Sequence, residues 1–107
     1  MTLQDIQQAK AFDDVIALCG YPIDVHDPAG AGGGTADSPD TANIYEIPFR
    51  VMVPKDLDGV LVAGRSVSST HEALGAIRVM PPCFAMGEAA GLAAALAVRG
   101  NTALRDV

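Results

Sequence analysis

The strongest hydrophobic pattern of the chain lies in residues 59–97. Residues 60–63 are all apolar, and Gly64 ends the run. Such an uninterrupted run is typical of a strand covered on both faces of a parallel sheet. A polar connection follows, and residues 81–99 then predict an alanine- and glycine-rich helix that Gly100 ends. Open α/β sheets bind ligands at strand ends, so a ligand site is expected beside Gly64.

The N-terminal part shows two weaker patterns. Apolar residues at helical spacing predict a helix over residues 3–19, with Thr2 as its cap. Tyr21, Ile23 and Val25 then alternate with other residues, which predicts a short extended segment, and the neighbouring prolines place it at a sheet edge.

Small and polar residues divide the chain into three parts. Residues 1–28 carry the helix and the edge strand, and residues 29–42 form a predicted flexible glycine-rich loop. Residues 43–107 begin with a strand or hairpin arm around Pro48 and contain the strand and helix described above. The glycines of the loop lack the strand and helix flanks of a dinucleotide-binding turn, so we interpret them as flexible.

Length and charge exclude several classes of function. A chain of 107 residues is one domain at most, and a net charge of −6 without a basic cluster argues against a nucleic-acid partner. No basic stretch precedes an apolar run at the N-terminus, so we expect a cytoplasmic protein. The apolar stretch 83–98 is broken by Glu88 and is predicted to be too short for a membrane span.

The two cysteines are predicted to be reduced thiols. Together with the two histidines they fit no compact metal motif, so no metal site is predicted.

The start of the C-terminal helix is a candidate ligand site, because a helix N-terminus carries unpaired N–H groups and partial positive charge. Pro81 and Pro82 lack N–H groups, so Cys83 and Phe84 are expected to offer the first free amides. An ordinary core helix that begins with prolines is the alternative. Glycines inside the helix, at positions 87 and 91, predict close approach of another backbone or of a large flat ligand.

Polar side chains crowd the connection between strand and helix. Arg65 would place a guanidinium at the ligand-binding edge of the sheet, where it could pair with a phosphate or carboxylate; simple solvation is the alternative. His71 is open to three interpretations: a catalytic or substrate-binding imidazole, an interfacial residue, or an exposed loop residue. Asp24 and Asp27 flank His26 and would favour its protonated form, which need not imply catalysis.

Several segments, taken in order, resemble FAD-dependent oxidoreductases of the two-dinucleotide-binding-domain type. The main ones are residues 61–65 (LVAGR), 70–73 (THEA) with Gly75, 78–81 (RVMP) and 86–91 (MGEAAG). Weaker similarity lies in residues 21–26 and 45–50. The resemblance implies an α/β fold that forms part of a Rossmann-like FAD-binding domain, with FAD as cofactor.

The resemblance also implies roles for single residues. Ala63, Gly64 and Arg65 would line the ribityl side of the flavin, and the helix start, with Met80, Cys83 and Phe84, would lie beside the isoalloxazine ring. His71 and Arg78 would lie near the substrate side of the site. The complete protein would transfer a hydride from a small-molecule substrate to FAD, and the sequence does not identify that substrate.

The chain departs from this family in two respects. Many flavoproteins carry an acidic residue where Arg65 stands, so Arg65 would pair with pyrophosphate or with a neighbouring side chain. The N-terminal strand, GxGxxG turn and first helix that hold the adenosine half are missing from these residues. We therefore expect a C-terminal segment, inactive alone, that is completed by an N-terminal half in cis or in trans. The alternatives are a non-enzymatic partner subunit and a small α/β interaction domain without a cofactor.

Overall fold

The computed structural model describes residues 1–25 and 44–107. The predicted loop 29–42 and His26 lie outside the described residues. The elements, in chain order, are α1 (Leu3–Gln7), β1 (Val15–Cys19), β2 (Tyr45–Pro48), α2 (His71–Ile77) and α3 (Met80–Gly100). Three short 3-10 turns lie at Phe49–Met52, Gly64–Ser66 and Leu104–Asp106. This mixture of helices and a small sheet is compatible with the predicted α/β class.

The predicted N-terminal helix is confirmed only for its first residues. Thr2 caps α1 with a capping box, since its hydroxyl accepts from the amide of Asp5 while the Asp5 carboxylate accepts from the amide of Thr2. The rest of the prediction is wrong, because Val15–Cys19 is a strand. Its apolar residues gain more from pairing with β2 than a continued helix would provide.

The sheet of the described residues has two antiparallel strands, β1 and β2. Cys19 lies opposite Tyr45 and Ala17 opposite Ile47, and the register shifts between Val15 and Ala17. The described residues contain no parallel strand pair, so a Rossmann-like arrangement is not confirmed.

The predicted buried strand at residues 60–63 is not present. Val62 donates its amide to the carbonyl of Met52 at 2.9 Å, but the segment is assigned no strand, and Val60 is 41% exposed. A strand becomes buried on both faces only when other elements cover it. Among the described residues, only the turn around Met52 donates to or accepts from this backbone.

The C-terminal helix is confirmed, with prolines in its first turn. It ends at Gly100, one residue beyond the prediction, and Asn101 closes it in the left-handed conformation at φ 51°. The connection before it was expected to be a polar loop, but it contains α2, whose N-cap Thr70 accepts from the amide of Ala73. A helix of seven residues is too short to give a clear periodic signal.

One core joins these elements. Ile47, Met52, Ile77 and Met86 are fully buried and bring the sheet, the turn after it, α2 and α3 together. Cys19 is a buried free thiol and Cys83 a half-buried one.

One side of α3 stays uncovered. This open face of α3 consists of exposed residues that follow one another at helical spacing: Met80, Phe84, Gly87, Gly91, Ala94, Ala95 and Val98. A Cβ added at Gly87 or Gly91 would meet no atom within 4 Å. The prediction that these glycines admit a close backbone is therefore wrong for the described residues.

The length of α3 also corrects the expectation about a membrane span. The helix has 21 residues and an 18-residue window with mean hydropathy 1.3, so it could cross a bilayer by length and composition alone. Core helices of other proteins pass the same test, and 22% of this window is buried here.

Candidate functional site

The glycine turn and the start of α3 lie side by side. Gly64 adopts φ 69°, a left-handed conformation that favours glycine. A Cβ added at Gly64 would lie 3.8 Å from the Sγ of Cys83, which is ordinary van der Waals contact. The structure therefore brings together two of the predicted cofactor residues that are 19 positions apart in the sequence. Ala63 and Arg65 flank this contact and are both exposed.

The amides without an intrahelical acceptor at the start of α3 are not those that the sequence predicted. The amide of Cys83 donates to the carbonyl of Val79 at 3.2 Å, so it is already paired. In an α-helix that begins at Met80, the amide of Phe84 pairs with the carbonyl of Met80. Since Pro81 and Pro82 have no N–H, Met80 is the helical residue of the first turn that keeps an N–H without an intrahelical acceptor.

The side chains at this helix start are open to a ligand. Met80 is 71% exposed and Phe84 is 72% exposed, and both belong to the open face of α3. Two large apolar side chains at such exposure are costly to leave in water. They offer a surface on which a flat apolar ring could pack.

The donor set around Gly64 suits an anionic or hydroxyl-rich group. The guanidinium of Arg65 has no ion pair within the described part of the chain, and the hydroxyl of Ser66 is exposed beside it. Guanidinium, hydroxyl and backbone N–H groups are the usual partners of phosphate oxygens and sugar hydroxyls. These residues could therefore hold a phosphate or a hydroxyl-rich chain.

His71 and Arg78 form a second group of candidate residues, beside α2. Both line a cavity of about 210 Å³, whose other walls come from α2 and from the extended segment at Asp24 and Val25. The Nη2 of Arg78 donates to the Oδ2 of Asp24 at 3.1 Å. The carbonyl of Arg78 lies 3.5 Å from the Sγ of Cys83, so the backbone of Arg78 reaches the first group of residues.

Glu72 stands next to His71 in the first turn of α2. Hydrogen bonds from its own backbone N–H and from the hydroxyl of Thr70 lower the pKa of the Glu72 carboxyl, and the neighbouring His71 adds to this effect. The carboxylate is therefore ionised at neutral pH and partly balances any charge on the imidazole.

Sequence reasoning did not find two features of the molecule. Asp24 was considered only as a neighbour of His26, whereas the structure pairs it with Arg78, 54 positions away. Tyr45 was considered only as a strand residue, whereas its buried hydroxyl lies within hydrogen-bond distance of three groups. A tyrosine in an apolar strand signals a buried hydroxyl that needs partners, but it does not identify them.

A larger cavity among the described residues lies elsewhere. It measures about 470 Å³ and lies between β1 and α3, with Val15, Phe49 and Leu92 among its walls. None of the predicted cofactor residues lines it. Ala63, Arg65, Met80 and Phe84 are instead exposed on the surface.

Among the described residues, no three His, Cys, Asp or Glu side chains are grouped so that they could hold a metal ion.

Comparison with protein families gives a match over the full length of the chain. The family described as FAD dependent oxidoreductase matches residues 1–107, the whole of this chain. No curated protein and no solved structure matches it.

Proposed function

We propose, from the premise that this chain belongs to the FAD dependent oxidoreductase family, that it supplies the ribityl and isoalloxazine side of an FAD site. The complete site would oxidise or reduce a small-molecule substrate. The closeness of the Gly64 turn to Cys83, whose Sγ would lie 3.8 Å from a Cβ added at Gly64, is the observation that carries this proposal.

The Gly64 turn would hold the chain of hydroxyls and phosphates. The positive φ of Gly64 lets the backbone turn sharply, and exposed Ala63 and Arg65 stand on either side. Arg65 would pair with a pyrophosphate oxygen through a charge-assisted hydrogen bond. No carboxylate occurs in residues 63–69, so this chain provides a cation where other flavoproteins provide an acid.

The start of α3 would hold the ring. Met80 and Phe84 would cover an apolar part of it, while the free N–H of Met80 and the positive end of the helix dipole would stabilise negative charge at its edge. Cys83 would fix the distance between helix and turn. Bound FAD supplies the acceptor for a hydride, and the chain supplies orientation and electrostatics.

The site would need a second polypeptide segment for completion. The open face of α3 and exposed Val60 leave apolar surface that a stable domain usually covers. We propose that the segment with the adenosine-binding half, in cis or in trans, covers this surface. Val62 donates to the carbonyl of Met52, and Ala63 is extended at φ −133° and ψ 166°, so another strand could join the chain here.

A reconstitution tests this function. The chain is mixed with, or fused to, the dinucleotide-binding N-terminal half of a complete member of the family, and FAD is titrated while flavin fluorescence is recorded. We expect saturable binding only when both parts are present. Binding that is equally tight to the N-terminal half alone would contradict the proposal.

A second candidate is a partner subunit or interaction domain without a cofactor. The open face of α3 favours it, because that face could pack on another protein whether or not a flavin is present. The same titration separates the two functions, since this candidate predicts a complex of the two parts without any gain in FAD binding.

A further inference from the structure

The cavity of about 210 Å³ beside α2 has the composition of a small anion site. Apolar walls come from Val25 and Leu74, and two side chains that can carry positive charge, His71 and Arg78, line it as well. Sites for drug-sized ligands are usually larger, so this cavity suits a molecule of only a few heavy atoms.

Arg78 keeps donors for a ligand. A guanidinium has five N–H donors in a rigid fork. Of these donors, Nη2 bonds to Asp24, to its carboxylate at 3.1 Å and to its carbonyl at 3.4 Å. Within the described residues no acceptor is bonded to Nε or Nη1 of Arg78. Asp24 is therefore a positioning residue, which fixes the plane of the guanidinium and leaves part of the fork for a second carboxylate.

The backbone of α2 is built around this arrangement. A Cβ added at Gly75 would lie 2.6 Å from the carbonyl oxygen of Asp24, so only glycine lets the helix approach the segment that carries Asp24. This close approach places Arg78, at the C-cap of α2, within reach of Asp24. Backbone packing thus fixes the position of α2 relative to the segment that forms the opposite wall of the cavity.

The cavity is also adjacent to the proposed flavin surface. The carbonyl of Arg78 contacts the Sγ of Cys83, and Cys83 lies against the Gly64 turn. Arg78 therefore connects the two places, with its side chain at the cavity and its carbonyl at the start of α3.

We infer that Asp24, His71 and Arg78 form a binding site for the carboxylate of a small organic acid, with Arg78 as the main donor. The inference rests on the proposed function in one respect, because it names the substrate class of that flavin enzyme. Binding itself requires no flavin. The carboxylate would accept a charge-assisted hydrogen bond from the free part of the guanidinium, and the imidazole of His71 would donate a second one.

Nuclear magnetic resonance of the 107-residue chain tests the inference, with succinate as the probe and neutral succinamide as its control. We expect saturable shifts of the amides of His71, Gly75 and Arg78 with succinate, and at least about tenfold weaker binding of succinamide, since a hydrogen bond between charged groups is lost. R78Q should weaken succinate binding to a similar extent. R99Q, which removes an exposed arginine of α3, should leave it unchanged.

The variants are first compared by thermal unfolding. If R78Q unfolds because its ion pair with Asp24 is lost, H71Q is used as the site variant in the binding experiment. The His71 side chain is exposed and has no hydrogen bond within the described residues, so this substitution should not affect folding. Weaker succinate binding by H71Q supports the site. Equal binding of succinate and succinamide, no binding at all, or equal losses in R99Q and the site variant would overturn it. The succinate titration contains no FAD. A negative result in it would therefore overturn the carboxylate site but not the proposed flavin site, and a negative reconstitution would do the reverse.

Discussion

Gly75 packs directly against the backbone of Asp24. A Cβ on Gly75 would lie 2.6 Å from the Asp24 carbonyl oxygen and 3.1 Å from its carbonyl carbon. Backbone atoms cannot rotate away as the end of a side chain can. The position of α2 against residues 21–25 therefore depends on the absence of a side chain at this one position.

Gly75→Ala should lower the free energy of unfolding by about 1–3 kcal/mol, because the added methyl group forces backbone atoms apart. Gly87→Ala is the matched control within a helix. Its Cβ would meet nothing within 4 Å, and it should raise the free energy of unfolding by up to about 1 kcal/mol through helix propensity. Urea unfolding measures both. Equal stability of the two variants would contradict the close packing at Gly75.

Tyr45→Phe should lower the free energy of unfolding by about 1–3 kcal/mol. The hydroxyl lies 2.9 Å from the carbonyl of Tyr21, 3.2 Å from that of Ala76 and 3.1 Å from the Sγ of Cys19. Burial raises the pKa of the Tyr45 phenol, so it stays neutral and donates its proton. Phenylalanine would leave unpaired the buried group that accepts this one proton.

Tyr21→Phe is the control for this change, because the Tyr21 side chain is 39% exposed and its hydroxyl has no bond within the described residues. Chemical unfolding of both variants should show a loss for Tyr45→Phe only. A similar loss at both positions would show that the buried hydroxyl adds nothing.

The ion pair between Asp14 and Arg50 should make stability depend on pH in the acid range. Side-chain hydrogen bonds from Arg50, at 2.8–3.0 Å, hold the pKa of the Asp14 carboxyl below its ordinary value of 3.8; the backbone amide and the charge of Arg50 act in the same direction. A lowered pKa in the folded state means that the stabilisation is complete above the unfolded pKa. It is then lost as the pH falls through the folded pKa.

Asp14→Asn should therefore reduce the loss of stability that the protein shows on acidification. Urea midpoints measured from about pH 6 downward give this dependence. Asp56→Asn, which changes an exposed carboxylate outside any ion pair of the described residues, should leave the dependence as it is in the unchanged protein. The prediction is refuted if both variants follow the unchanged protein.

Local signals allowed the sequence to predict two helices in part. The prolines at the start of α3 and Gly100 at its end, and the capping box at Thr2, act within a few residues. β1 could not be predicted in the same way, because its sequence VIALC fits a buried helix as well as a strand. Its pairing with Tyr45 and Ile47 decides between them, and that pairing crosses more than 25 positions.

In the candidate site, too, local features could be predicted from the sequence and contacts between distant positions could not. The turn at Gly64 is a local feature, and its positive φ agrees with the predicted glycine turn. The free amide was assigned to Cys83 because the prolines were counted as the whole first turn. The helix begins one residue earlier, so Val79 provides an acceptor for Cys83. The pair of Asp24 with Arg78 joins distant positions that no local pattern connects.

Phe84→Ala should separate function from stability. The side chain is 72% exposed, so its removal should change the free energy of unfolding by less than about 0.5 kcal/mol. FAD binding by the reconstituted protein should weaken, since the ring loses an apolar contact. Met86→Ala, at a fully buried position two residues away, should instead cost about 2–5 kcal/mol of stability. Unchanged FAD affinity in Phe84→Ala would remove Phe84 from the site.

The glycine turn gives the sharpest test, because the chain contains its own matched control. Gly64 has φ 69° and Gly59 has φ 72°, so alanine strains the backbone to a similar degree at both positions. Only Gly64 lies against the start of α3; nothing lies within 4 Å of a Cβ at Gly59.

The decisive measurement is the flavin content of the reconstituted protein with Gly64→Ala and with Gly59→Ala, read from its visible absorbance after gel filtration. We predict that Gly64→Ala loses most of its FAD while Gly59→Ala retains it at equal stability. Equal FAD retention by the two variants would contradict the claim that this chain provides the ribityl and isoalloxazine side of the flavin site.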